Sequence, residues 1–137
     1  MNVGAAIREI LLADAAVAAL VGDRVRPVAM HEADEDAESV VYHPISDVRL
    51  RSHDGPTGGA GEARYQLAMR APTFDRLEAL RVAAIGRLDC YGGEHQGAIV
   101  RLFFDDAADQ TAFVEDGEGR PLYRQDADFV VLYEPAA

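Results

Sequence analysis

Residues 62–70, EARYQLAMR, set Ala63, Tyr65, Leu67 and Met69 alternately with Arg64, Gln66, Ala68 and Arg70. Successive side chains of a strand point to opposite faces, so this period of two asks for a sheet with one buried face. Two more runs make the same demand. In Ala98–Asp105 (AIVRLFFD), Val100, Leu102 and Phe104 fall on one side. In the long closing run Tyr123–Glu134 (YRQDADFVVLYE), Tyr123, Gln125, Ala127, Phe129, Val131 and Tyr133 share a face. Ser39–Ser46 (SVVYHPIS) is β-branched and aromatic, and Pro44 directs it to an edge strand or a bulge.

The buried faces need a cover, and the remaining apolar residues predict helices. Ile7, Ile10, Leu11, Val17, Leu20 and Val21 are spaced for one apolar helical face. Asp14 interrupts them as a cap, accepting backbone N–H bonds at the positive end of a helix. Gly22 supplies a left-handed exit, and Pro27 forbids continuation, so the block Ile10–Met30 ends in a short strand over Val25–Met30. A further helix opens at Pro72-Thr73, with Thr73 as N-cap and Asp75 in its first turn. Its buried stripe is Phe74, Leu77, Leu80, Ala84 and Leu88, and Gly92-Gly93 ends the segment.

Between these elements lie three polar stretches read as connections. His31–Glu38 is acidic with no apolar period, Arg49–Gly61 (RLRSHDGPTGGAG) is a long hairpin loop of turn formers, and Asp106–Pro121 is a polar loop. Hairpin neighbours with a single crossover helix define an α+β fold: a mainly antiparallel sheet, helices packed on one face, and a long hairpin loop. The chain is expected to form one domain over residues 1–137.

Composition narrows the function. With 49% apolar residues the chain is not disordered, and no apolar run approaches the roughly 18–20 residues of a membrane helix, so no membrane partner is expected. No secretory signal is visible, and the single Cys90 suits a reducing interior, which places assembly in the cytoplasm. The net charge is −11, and all 13 basic residues are arginine. Such an acidic surface argues against wrapping nucleic acid, whose phosphates must be neutralised. It is compatible with a surface that DNA slides past, because like charges repel.

No catalytic residues emerge. The glycine-rich run Asp54–Gly61 lacks the Gly-Lys-Ser/Thr ending of a phosphate loop and precedes a strand, so no helix dipole faces an anion. His31, His43, His53 and His95 have no metal-ligand spacing among them. The acidic groups Asp34-Glu35-Asp36 and Asp105-Asp106 with Asp109 lack the alternate spacing and glycine turn of a calcium loop. Cys90 lies near His95 without an orienting third residue and reads as a partly buried structural cysteine. Ser39, Ser46 and Ser52 have no nucleophile-elbow context. No catalytic, metal or cofactor site is expected, and the chain is read as a non-enzyme.

The ordered segments resemble the tail-completion or tail-terminator family of long-tailed phages and phage-like gene transfer agents. The matching residues are Leu12–Gly22 with Arg24-Val-Arg-Pro27, then Val40-Val-Tyr42 with Ile45-Ser46. Asp54-Gly-Pro56 follows, ahead of Arg64–Leu67, Glu78–Arg81, Leu122–Arg124 and Asp128–Glu134. The stretches Glu32–Glu38 and Asp105–Arg120 depart from the pattern as surface elaborations. The resemblance implies a ring, typically a hexamer, that ends tail-tube growth and docks the tail to the head-side connector, in the tail or neck of a virion. Its partners would be further copies, the tail tube protein, the connector or stopper protein, and DNA in transit.

Two site expectations follow for a ring subunit, which needs two different contact faces. Arg49, Arg51, Asp54, Gly55 and Arg64 form an assembly interface in which arginines meet acidic groups of a neighbour. Asp34, Glu35, Asp36, Asp105 and Asp106 line the lumen and repel the DNA backbone. A small ferredoxin-like binding module, or an enzyme whose catalytic residues converge only in space, remains the alternative.

Overall fold

The computed structural model describes residues 2–29, 37–52, 55–107, 112–115 and 121–136. Its first helix starts where Asn2 lends an acceptor: Asn2 Oδ1 takes the Ala5 N–H at 3.0 Å, satisfying one of the donors a helix start leaves unpaired. Helix α1 (Val3–Leu12) buries Val3, Ala6, Ile7, Ile10 and Leu11. Asp14 then caps α2 (Ala15–Val21), accepting from Ala16 and Val17 N–H at 2.9 and 3.1 Å. Gly22 ends it at φ 60°, a left-handed conformation that costs a residue without Cβ little. Val17 and Val21 are buried as expected, whereas Leu20 is only half-buried.

Among the described residues, seven strands form one sheet: β1 (Val25–Pro27), β2 (Ser39–Ser52), β3 (Gly55–Ala71), β4 (Tyr91–His95), β5 (Ala98–Ala107), β6 (Ala112–Glu115) and β7 (Pro121–Pro135). Their order is β1-β2-β3-β7-β5-β4, with β6 also on β7. The β1–β2 pair is parallel and the others are antiparallel. Strand β7 is the axis of the sheet. One of its edges holds β3, and the other holds β5 against 127–135 and β6 against 121–124.

Helix α3 (Phe74–Leu88) crosses between β3 and β4. Thr73 Oγ1 accepts the Arg76 N–H at 3.3 Å, and Leu77, Leu80, Ala84 and Leu88 are buried. Phe74 departs from the expected stripe. It is the first helical residue, 48% exposed, and packs edge-on against Tyr123 with centroids 6.2 Å apart. The helix also stops sooner than Gly92-Gly93. Asp89 is its C-cap, Cys90 makes the left-handed turn at φ 59°, and both glycines lie inside β4.

The core lies between the three helices and one sheet face, and Phe129, Leu67, Met69, Leu102 and Val131 are its sheet side. Gly4 permits the close approach of α1, since a Cβ there would lie 2.6 Å from the Tyr42 ring. Three arginines tie neighbouring elements and connections together through carbonyls. Arg8 Nε donates to Val25 O at 3.1 Å, Arg24 Nε to Glu38 O at 2.7 Å, and Arg87 Nε to Ile10 O at 3.0 Å. Glu38, expected on the surface, is 3% exposed and ion-paired with Arg76.

Two expected loops are partly strand. The Asp106–Pro121 stretch contains β6, and β5 runs to Ala107. The Arg49–Gly61 hairpin is paired through Arg49↔Gly61, Arg51↔Pro56 and Ser52↔Gly55, so its sides are extended backbone. On the N-terminal side, the Val25–Met30 strand stops at Pro27, and Val28 turns at φ 65°.

Candidate functional site

The β2–β3 hairpin projects as an arm past the rest of the sheet. Pairing of β2 to β1 stops at Tyr42, so residues 43–48 are a free sheet edge beside β3; pairing of β3 to β7 stops at Gly61, opposite Arg49, and beyond that rung the two strands hold only each other among the described residues. The peptide groups explain why Pro44 sits here. Val40 N–H donates to Arg24 O and Tyr42 O accepts from Val28 N–H, so even-numbered groups face the β1 edge. Pro44 is next in that series, and its missing N–H falls on the free edge, where no ladder bond is lost. A register shift between Pro44 and Ser46 follows, which is the expected bulge.

Residues 44–49 are all exposed, and Ile45 and Val48 among them are 58% and 59% exposed. Isolated apolar residues on a surface are ordinary, and here two lie within four positions of one strand edge. The arm is anchored at its root: Tyr133 O–H donates to Asp47 Oδ1 at 2.6 Å, and Gly61 leaves the space that the Tyr133 ring occupies. Burial, and then the hydrogen bond to Asp47, push the Tyr133 phenol above its ordinary value.

The expected interface residues divide. Arg49 is exposed on the arm and makes no hydrogen bond or ion pair among the described residues, while Arg51 and Gly55 belong to the arm by register. Arg64 lies elsewhere, on the sheet face away from the helices, paired with Asp105. That ion pair joins a residue expected at the interface to one expected in the lumen, and each neutralises the other. Asp106 is on β5 opposite Asp128. Asp54, Asp34, Glu35 and Asp36 lie outside the described residues.

The helix-free face holds a second surface that sequence reasoning missed. The register places Leu132 opposite Glu62 and Arg101, and Val130 opposite Arg64 and Phe103. Ile99, Phe103, Val130 and Leu132 thus form an apolar patch, with Phe103 and Leu132 40% and 36% exposed. A shallow cavity of about 170 Å³ opens there, lined by Ile99, Arg101, Leu132 and Glu134 with Gly61 at its edge. Arg101 and the acidic rim of Glu62, Glu94 and Glu134 have no ion-pair partner among the described residues. The signal was present: AIVRLFFD and DFVVLYE carry apolar residues on both faces, the pattern of strands covered twice. Below the patch the face is charged, with Arg124 bonded to Asp126 at 2.8 Å and Arg70 lowered in pKa by burial and by Arg124.

Cys90 is exposed, contrary to its expected partial burial, and its thiol donates to Asp89 Oδ1 at 3.7 Å. His95 turns elsewhere: Nε2 lies 2.7 Å from the Tyr91 hydroxyl and Nδ1 3.3 Å from Glu9. No helix is long and apolar enough to cross a membrane among the described residues.

The molecule is therefore an α+β protein whose mainly antiparallel sheet is covered by helices on one face and extended by a two-stranded arm. No protein-family model matches the chain, and no curated protein matches it at a significant level. Among solved structures, a chain from the structure titled "Virion of native gene transfer agent (GTA) particle" shares the fold at a TM-score of 0.70 and 22% identity. The match covers 96% of this chain and 93% of that one, so the two folds correspond nearly end to end.

Proposed function

We propose that the chain is a structural, non-catalytic protein of a phage-like virion particle. Within the particle it is a subunit of the ring, a hexamer by resemblance, that ends tail-tube growth and joins the tail to the head-side connector. The observation that carries the particle role is the nearly end-to-end correspondence with a chain of a gene transfer agent virion. The ring role rests on the ordered segments from Leu12–Gly22 to Asp128–Glu134 that resemble tail terminators.

The exposed arm and the apolar patch support such an assembly, because a ring subunit needs two unlike contact surfaces. Tail tube and connector proteins are the other partners, the tail or neck is the place of action, and the host cytoplasm is where assembly occurs. DNA crosses the lumen without specific binding, and the −11 net charge favours passage over adhesion. Because Asp105 is neutralised by Arg64, an acidic lining rests on Asp34, Glu35, Asp36 and Asp106. Replacing those four carboxylates by amides should slow DNA ejection, and unchanged ejection would remove the lining from the account.

The arm gives the more direct test. Deleting residues 50–58 removes the tip and spares every residue of the core cluster. The expected product is a folded protein that cannot complete particles, seen as tails of irregular length or heads without tails. Normal particle yield would contradict the proposal.

A further inference from the structure

The two strands of the arm are fastened to the sheet in different ways. Strand β3 is paired to β7 as far as the rung Gly61↔Tyr133. Strand β2 has no strand on its outer side past Tyr42, and its ladder to β3 is broken between Pro44 and Ser46 and again between Arg49 and Arg51. A bulge bends its strand and disrupts the ladder locally, so β3 alone holds this stretch of β2 weakly. Of residues 44–49, only Asp47 makes a side-chain hydrogen bond or ion pair among the described residues, and its donor is the Tyr133 hydroxyl at 2.6 Å. A hydroxyl donating to a carboxylate makes a stronger bond than two neutral groups do.

That bond crosses a whole strand. Strands β7 and β2 flank β3, so their backbones lie two strand spacings apart, roughly 9–10 Å. On the face concerned, the intervening β3 residues are Gly61, between Tyr133 and Arg49, and Ala63, between Val131 and Asp47. Neither side chain extends beyond Cβ, and a Cβ at Gly61 would collide with the Tyr133 hydroxyl. This small pair lets a phenol on β7 reach a carboxylate on β2.

We propose that Tyr133 is the positioning residue of the arm: its backbone pairs with β3, its hydroxyl holds β2, and together they fix the arm's direction. A two-stranded ribbon fastened by one strand can twist about that strand, whereas one fastened by both cannot. The bulge after Pro44 is the hinge at which β2 turns when the hydroxyl is missing. The consequence for assembly rests on the proposed ring role, in which the arm meets its partner in one orientation. An arm free to twist would have to be ordered at every contact, and that ordering weakens association.

The test places spin labels at Ser52→Cys on the arm and Val82→Cys on the exposed side of α3, with Cys90→Ser to remove the exposed native thiol. Pulsed dipolar spectroscopy of the full chain should give one narrow distance distribution. Tyr133→Phe keeps the ring and loses only the hydroxyl, and it should broaden that distribution about twofold or more. Asp47→Asn keeps an acceptor oxygen and should leave it narrow. Asp14→Ala removes a helix cap on another element at a comparable cost in stability, and it should also leave the distribution narrow, which separates positioning from stability. A broad distribution before substitution, or an unchanged width in Tyr133→Phe, would overturn the proposal. Particle completion read on the same variants separates this role from the ring. Broadening with normal particles in Tyr133→Phe would uphold the positioning role and remove the arm from assembly. Lost particles with an unchanged width would do the reverse.

Discussion

Tyr133 shows how a single side chain can set the geometry of a projecting element. Its ring fills the space beside Gly61, and its hydroxyl reaches Asp47 on β2, so three strands meet at the root of the arm. Gly61→Ala would place a methyl inside the contact radius of that ring, and we expect a loss of about 1–3 kcal/mol in denaturant unfolding. Tyr133→Phe removes the hydrogen bond and should cost about 1 kcal/mol at neutral pH. The pH dependence carries a definite sign. The folded-state pKa lies above 10.0, so the contribution is fully present below pH 10 and declines as pH rises through the folded value, because the unfolded state ionises first. Thermal melting in alkaline buffer should therefore show a steeper loss for the wild type than for Tyr133→Phe, and parallel curves would refute the assignment. Nothing local marks this cluster, since Asp47 and Tyr133 are 86 positions apart.

Among the elements, those fixed by local chemistry are legible in the amino-acid sequence alone. Asp14 and Thr73 are caps because short oxygen-bearing side chains satisfy the first free N–H groups of a helix, and both do so here. Asp14→Ala should accordingly destabilise the protein by about 1 kcal/mol, measurable as a lower melting temperature with the fold retained. The alternation of β3, β5 and β7 is equally readable. Elements fixed by their neighbours are not. Strand β4 contains Gly92-Gly93, which reads as a helix stop, yet pairing of Tyr91–His95 with β5 holds it extended. The run PTGGAG in β3 is turn-forming by composition and becomes strand by pairing with β2 and continuity with β3. Of the candidate site, the arm's position is visible in the sequence, whereas the Arg64–Asp105 pair, 41 positions apart, and the apolar patch depend on strand register.

At the scale of the whole molecule, the fold separates two tasks. One sheet face, with α1, α2 and α3, makes the core; the other face and the β2 edge carry the exposed apolar side chains Phe103, Leu132, Ile45 and Val48. An assembly protein benefits from that division, because its contact surfaces can vary without loss of the core. Core truncation and surface substitution should consequently diverge. Phe129→Ala is expected to cost about 3–5 kcal/mol and to abolish soluble protein, whereas Val48→Arg should leave melting nearly unchanged and abolish particle completion. Electron cryomicroscopy of the particle that carries this chain tests directly whether it forms the ring ending a tail tube. A closed ring of this fold is expected at the head-proximal end of the tail. Density for the fold elsewhere in the particle, or a particle whose tail terminus is built without it, would rule out the ring role.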